Sequence, residues 1–160
     1  MVYISRAAIG ADTWEITAGD RGIREICRCC SFVRAPENEH TRKAAEELQE
    51  YFAGTRKTFD LALDLSGTPF QRQVWAQLRT IPFGSVVCYS QVAQAIGRPE
   101  AVRAVAQAIG RNPCLIVVPC HRVLGKDGSL TGFSAGLDLK KQLMESIIRR
   151  HEPLGAKLFL

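Results

Sequence analysis

Ser66-Gly67-Thr68-Pro69-Phe70-Gln71 is the stretch on which the reading of this chain turns. Thr68 is a residue type that caps helix N-termini, Pro69 suits the first helical position, and Gln71 completes a capping box. A helix is therefore predicted to start here, with Phe70, Val74, Trp75 and Leu78 on its buried stripe, and to end before the turn Pro82-Phe83-Gly84. Upstream the pattern differs. Val2–Ile4, Trp14–Ala18 and Ile23–Cys27 are short apolar or alternating runs separated by Gly10, Gly19-Asp20 and Gly22, which predicts strands. From Thr41, residues Ala44, Ala45, Leu48, Tyr51 and Phe52 recur at helical spacing until Gly54. Phe59, Leu61, Leu63 and Leu65 then alternate with Asp60, Ala62 and Asp64, predicting one more strand. The boundary gives two domains: 1–66, a small α/β N-terminal domain of sheet plus helix, and 67–160, a mainly helical C-terminal domain.

Downstream, Ser90 is placed to cap a helix over Gln91–Ile96 that Gly97 closes. Arg98-Pro99 turns the chain, and Glu100–Ile109 forms a second helix, so the pair has the helix-turn-helix pattern. The second helix carries Ala101, Ala104, Ala106 and Ala108 around a single Arg103, small enough to let its backbone approach another surface closely. A DNA-binding pair and an ordinary helical hairpin in a core both fit this pattern. Leu115–Val118 is a short apolar run, predicted to be a buried strand that stops at Pro119. Gly125-Lys126-Asp127-Gly128 signals a turn, and Leu137 to about His151 reads as a final helix.

Charge separates the halves. Residues 1–65 hold nine Lys/Arg against eleven Asp/Glu, a net −2, whereas 66–160 hold twelve against five, a net +7, which together give the chain its +5. The second half suits either a polyanionic partner or a plain basic surface. No apolar run approaches the roughly 18 residues of a membrane span. The N-terminus lacks the pattern of a secretory signal, which points to the cytoplasm. The six cysteines do not form a disulfide framework and are expected as reduced thiols. Cys27, Cys29 and Cys30 with His40 lack a second ligand pair to complete a zinc site, and small buried hydrophobes are the favoured reading. No metal and no cofactor are expected.

The chemistry concentrates in Asn112-Pro113-Cys114-Leu115-Ile116-Val117-Val118-Pro119-Cys120-His121-Arg122-Val123. An apolar run delivers Pro-Cys-His, and proline stiffens the exit. A cysteine attacks as thiolate, and a free thiol with a pKa near 8.5 is only slightly ionised at neutral pH. A following histidine and a basic half-domain would raise that fraction, although neighbours on a strand face opposite ways, so the pair needs a turn or a bridging water. A Cys-His dipeptide alone equally fits a buried structural cysteine beside a surface histidine.

The wider constellation decides between these. Ile81-Pro82-Phe83-Gly84 with Val87 and Tyr89, Arg103-Ala104-Val105, Arg111-Asn112-Pro113, Pro119-Cys120-His121-Arg122-Val123, Gly132-Phe133-Ser134, and Gly136-Leu137 with Lys140 and Leu143 together resemble the O6-alkylguanine-DNA alkyltransferases. The match runs from about Thr68 to Ile148, roughly half the chain. The resemblance implies direct repair of O6-alkylguanine by irreversible, single-turnover transfer of the alkyl group to Cys120. His121 would act as general base through water, Asn112 would brace the turn, and Tyr89 would donate to the departing guanine. Val123, Phe133 and Ser134 would line the base pocket. Arg103 would enter the duplex where the nucleotide flips out, with Ala104, Ser90, Gln91 and Arg111 also on the DNA. The partner would be double-stranded DNA gripped in the minor groove by a monomer, with no membrane involved.

One position departs from the family pattern. A glutamate that would orient the histidine is expected seven residues after Lys140, where this chain has Ile147; Glu145 lies about 200° away around a helix. Phe133 stands where tyrosine is frequent and keeps the aromatic wall without its hydroxyl. A non-catalytic binder that flags alkylated DNA is the alternative, disfavoured by Cys120 and kept open by Ile147; a sequence-specific transcription factor would have no need of Pro119-Cys120-His121. Ile147→Glu is expected to lower the Cys120 pKa and speed alkyl transfer. Single-turnover kinetics with no gain, and an unchanged thiol titration, would contradict this.

Overall fold

The computed structural model describes residues 1–28, 31–125, 139, 140 and 143. Contacts divide the chain into one unit of residues 1–66 with 113–117 and a second of 67–112 with 118–160.

In the first unit, β1 (Tyr3–Ile9), β2 (Asp12–Ala18) and β3 (Ile23–Cys27) form an antiparallel sheet in the order β1-β2-β3. β1 is longer than the sequence predicts. A two-residue hairpin at Gly10-Ala11 sets Ile9 opposite Asp12, and the register continues to Tyr3 opposite Ala18. The pairing places Arg6 against Glu15, whose ion pair at 3.0 Å is invisible to hydrophobic alternation. Helix α1 (Glu39–Ala53) packs on the sheet, with Ala44, Leu48 and Tyr51 buried and the Phe52 ring 5.5 Å from Trp14. It begins before Thr41 because Asn38, read as loop, is its cap: the Asn38 side chain accepts from the Thr41 N–H while Thr41 Oγ1 accepts from the Asn38 N–H. Gly54 ends the helix at φ 88°, a left-handed conformation that glycine adopts without strain.

The alternating stretch 59–65 does not form the predicted strand. Leu63 makes only an isolated parallel bridge with Ile23, through Ile23 N–H to the Ala62 carbonyl and Asp64 N–H to the Ile23 carbonyl. Gly22 permits this approach, since a Cβ there would lie 2.6 Å from the Ala62 oxygen. The same strand β3 receives residues 113–117: Ile26 N–H donates to Pro113 and Leu115 N–H to Ile26, at 2.9 and 3.2 Å. Cys27, expected as a reduced thiol, is disulfide-bonded. Cys88, Cys114 and Cys120 take no part in a disulfide, and Cys29 and Cys30 lie outside the described residues.

In the second unit, α2 (Pro69–Leu78) starts with the Thr68–Gln71 capping box and buries Val74, Trp75 and Leu78. It packs on α3 (Tyr89–Ala95) and α4 (Val102–Gly110), which also pack on each other. Trp75 Nε1 donates to the Ala108 carbonyl at 2.8 Å, tying α2 to the end of α4. Between α2 and α3 lies β4 (Val87–Cys88), paired in parallel with β5 (Val123–Leu124). Two boundaries differ from expectation. Ser90 is inside α3, whose cap is Cys88, with Gln91 Oε1 accepting from the Cys88 N–H at 2.8 Å. Helix α4 starts at Val102, later than expected, with Ala101 at its cap and no side-chain capping bond there. Of the predicted final helix, Leu139, Lys140 and Leu143 are described and helical. Among the described residues no helix is long and apolar enough to cross a membrane, and no group of three or more His, Cys, Asp or Glu is placed to hold a metal ion.

Glu15 shows how the sheet's edge loop is held. Its carboxylate accepts from the Ser31 N–H and hydroxyl and from Arg6, while Arg6 also donates to the Ser31 and Val33 carbonyls. Burial works to raise the Glu15 pKa, but the Ser31 hydrogen bonds and Arg6 together leave it below the ordinary carboxylate value. A lowered folded pKa contributes stability above the unfolded value, lost as pH falls through the folded one. Glu15→Gln is therefore expected to destabilise the protein at pH 7 and to converge on wild type in acid. Urea unfolding at the two pH values checks this, and a gap that persists in acid would contradict it.

Candidate active site

The site grows from the end of α4. The chain leaves the helix at Arg111, and Asn112 follows with its N–H on the Ile109 carbonyl. Its buried side-chain amide donates twice, to the Val118 carbonyl at 2.8 Å and to the Cys120 sulfur at 3.2 Å. Residues 113–117 loop out between these partners. They do not form the predicted strand. Ile116 has φ 73°, and the Val117 N–H returns to the Leu115 carbonyl at 2.9 Å, a γ-turn of the strained hand. A β-branched residue in that region is unfavourable by roughly 1–3 kcal/mol. A second, relaxed γ-turn follows at Pro119 (φ −81°, ψ 63°), with the Cys120 N–H on the Val118 carbonyl at 2.8 Å. Proline's ring favours that φ and leaves no N–H to satisfy. Cys120–Arg122 then makes a single 3-10 turn. The turn that the Cys-His pair required is thus present, built by two tight turns in succession.

Two cations anchor this turn and its exit, and Tyr89 lies beside one of them. Lys140, fully buried, donates from Nζ to the Val123 carbonyl and lies 5.9 Å from the centroid of the Tyr89 ring. Arg122 Nη1 donates to the Ile81 carbonyl at 2.8 Å, and its guanidinium lies 5.6 Å over the Phe83 ring. Tyr89, at the start of α3, follows β4 directly, and β4 runs beside Val123 and Leu124.

The electrostatics correct one expectation. The basic surroundings were expected to favour the thiolate, but burial dominates: Cys120 is 3% exposed and its pKa is pushed up to about 11. The Asn112 hydrogen bond and the Lys140 charge act in the opposite direction without prevailing. About four units above neutrality leaves on the order of one thiol in ten thousand ionised at pH 7. His121 is held well below the ordinary imidazole value, by burial first and then by the Arg122 and Lys140 charges. It is therefore neutral at pH 7, and the same surroundings weaken it as a base. Burial likewise lowers Lys140 to about 8, and negative charge on Cys120 would raise it again.

Of the residues named from the sequence, Asn112 and Cys120 are in contact, His121 is next in the same turn, and Val123 is fully buried at its exit. Arg103, Ala104, Gln91 and Arg111 are exposed on or beside the α3–α4 pair, and Ser90 is half-buried with its hydroxyl 3.0 Å from the Cys88 sulfur. Phe133, Ser134, Glu145 and Ile147 lie outside the described residues. Sequence reasoning gave no role to Lys140 or Arg122, although both stand in the motifs; a cation's burial leaves no mark on a local pattern.

A buried cysteine held by an asparagine on a braced turn, in the unit that carries α3 and α4, is the feature that comparison with known proteins identifies. The profile described as 6-O-methylguanine DNA methyltransferase, DNA binding domain, matches residues 69–146. The methylated-DNA–protein-cysteine methyltransferase of Mycolicibacterium paratuberculosis is 52% identical over 116 residues, 72% of this chain and 70% of that protein. The constitutive enzyme of that name from Bacillus subtilis is 49% identical over 113 residues, 71% and 68% of the two chains. The crystal structure of Mycobacterium tuberculosis O6-methylguanine methyltransferase superposes over 100% of both chains with a TM-score of 0.84 and 34% identity. That of Mycobacterium tuberculosis OGT in complex with DNA covers 99% of each chain, with a TM-score of 0.80 and 37% identity. The chain belongs to the methylated-DNA–protein-cysteine methyltransferase family.

Because Asn112 donates to the sulfur, Asn112→Ala is expected to push the thiol further up and slow its alkylation by iodoacetamide. In wild type that rate should climb with pH toward about 11. A Cys120 rate that plateaus near pH 8, or is unchanged in Asn112→Ala, would contradict the arrangement.

Proposed function

We propose that this protein repairs O6-alkylguanine in DNA by moving the alkyl group irreversibly onto Cys120. The observation that carries the reading is the Cys120 sulfur held by the Asn112 amide on a tight turn, in a chain of this family. The described surroundings of the sulfur are polar, with the Asn112 amide and the Lys140 and Arg122 cations beside the neutral His121.

In this reading His121 takes the Cys120 proton through water, and the thiolate attacks the alkyl carbon. The carbon–sulfur bond forms as the carbon–O6 bond breaks, and the electron pair leaves on guanine, where the Tyr89 hydroxyl supplies a proton or hydrogen bond. The thioether has no good leaving group, so each molecule acts once. The base must leave the stack to meet the sulfur, at a cost of a few kcal/mol that a poorly pairing lesion reduces. We assign α3 and α4 as a helix-turn-helix that docks in the minor groove, with Arg103 filling the vacated space and Ala104, Ser90, Gln91 and Arg111 along the backbone. The exposure of Arg103, Ala104, Gln91 and Arg111 supports this, and Gln91 keeps its amide N–H groups for DNA while its oxygen caps α3. Val123, Phe133 and Ser134 are assigned to the base pocket, and residues 1–66 and 67–160 as the two domains. The protein acts as a monomer in the cytoplasm, since one flipped base needs one pocket.

Cys120→Ser is expected to abolish removal of O6-methylguanine from a duplex while leaving affinity for that duplex within a few-fold. Chromatography of digested DNA and a binding titration check the two halves. Wild-type protein that binds the lesion and leaves it intact would favour the lesion-flagging alternative.

A further inference from the structure

The nucleophile's turn has a second anchor besides Asn112. Arg122, itself buried, donates to the Ile81 carbonyl and stacks on Phe83. Ile81 and Phe83 belong to the turn after α2, tied to that helix by Ile81 N–H on the Leu78 carbonyl and closed on itself by Ser85 N–H on the Pro82 carbonyl. This turn leads through Val86 into β4, and Tyr89 comes next. Phe83 and Val86 pack on Leu124 in β5. Several contacts therefore join the turn carrying Cys120 and its exit to the segment carrying Tyr89: the β4–β5 ladder with its Leu124 packing, Lys140 between the Val123 carbonyl and the Tyr89 ring, and Arg122, which makes its contact from the turn itself. The ladder has only two residue pairs, Val87 with Val123 and Cys88 with Leu124, too few to set a register firmly by themselves.

We propose that Arg122 is a positioning residue of alkyl transfer, holding the Cys120 turn on the Ile81–Phe83 turn and so setting the separation between the sulfur and the Tyr89 hydroxyl. The proposal rests on the repair reading above. Attack needs sulfur, alkyl carbon and O6 in line with the proton donor beyond them, and a misplacement of about 1 Å can slow such a step about a hundredfold. A guanidinium suits the task because it donates in its plane while its face lies on an aromatic ring, which an ammonium cannot reproduce.

The test compares wild type, Arg122→Lys, Arg122→Met and a core control, Leu48→Ala, which removes a buried side chain of α1. For each, the transfer rate at saturating O6-methylguanine duplex, the duplex affinity and the melting temperature are measured. Arg122→Met is expected to transfer at least about tenfold more slowly at saturation with affinity within about twofold, and Arg122→Lys to recover part of the rate. Leu48→Ala should lose melting temperature and keep its rate. Arg122 variants that transfer within twofold of wild type would overturn the proposal. So would a Leu48→Ala protein of equal melting temperature that is equally slowed. If Arg122→Met does not fold, Arg122→Lys decides by the same criterion. A wild-type protein that transfers no methyl would instead sink the repair reading itself.

Discussion

The site depends on one carboxamide. Asn112 closes the ends of the 113–117 loop by donating to the Val118 carbonyl, and the same nitrogen donates to the Cys120 sulfur. Both acceptors are buried, where a lost donor is expensive and a satisfied one is rigid. That closure makes room for a strained turn at Ile116 and a relaxed one at Pro119. Their combined effect is to bring the chain back so that Cys120 opens the 3-10 turn. A nucleophile delivered this way has little freedom, which an in-line displacement requires.

Charge and burial compete at the same sulfur. Burial wins in the free protein, leaving a protonated thiol beside a neutral imidazole and an ammonium whose own pKa burial has lowered. Such a thiol is a poor target for stray electrophiles. Lys140 and Asn112 favour the thiolate, and in the proposed reaction ionisation accompanies transfer. Buried cations do double service as struts: Lys140 on the Val123 carbonyl and Arg122 on the Ile81 carbonyl.

Much of the frame was legible because local chemistry and tertiary structure agree. Thr68, Pro69 and Gln71 announced α2 correctly, and Gly54 ended α1. Where they disagree, long-range partners decided. β1 extends to Ile9 because β2 pairs with it, and the alternating run around Leu63 has only Ile23 to bridge. Nothing local announces a positive φ at Ile116, since β-branched residues normally avoid it, so an apolar run was read as a strand. Motif residues singled out Cys120 and Asn112, which the fold brings into contact. They could not reveal that Cys120 is buried enough to stay protonated, because burial is a property of the folded surroundings.

The most direct measurement follows the alkyl group itself. The protein is mixed with an excess of duplex carrying isotopically labelled methyl on guanine O6, then digested, and the labelled peptide is sequenced. One label per protein molecule, on Cys120 alone, is the predicted result. Label on Cys88 or Cys114, continued turnover beyond one equivalent, or methyl retained on the DNA would contradict the account.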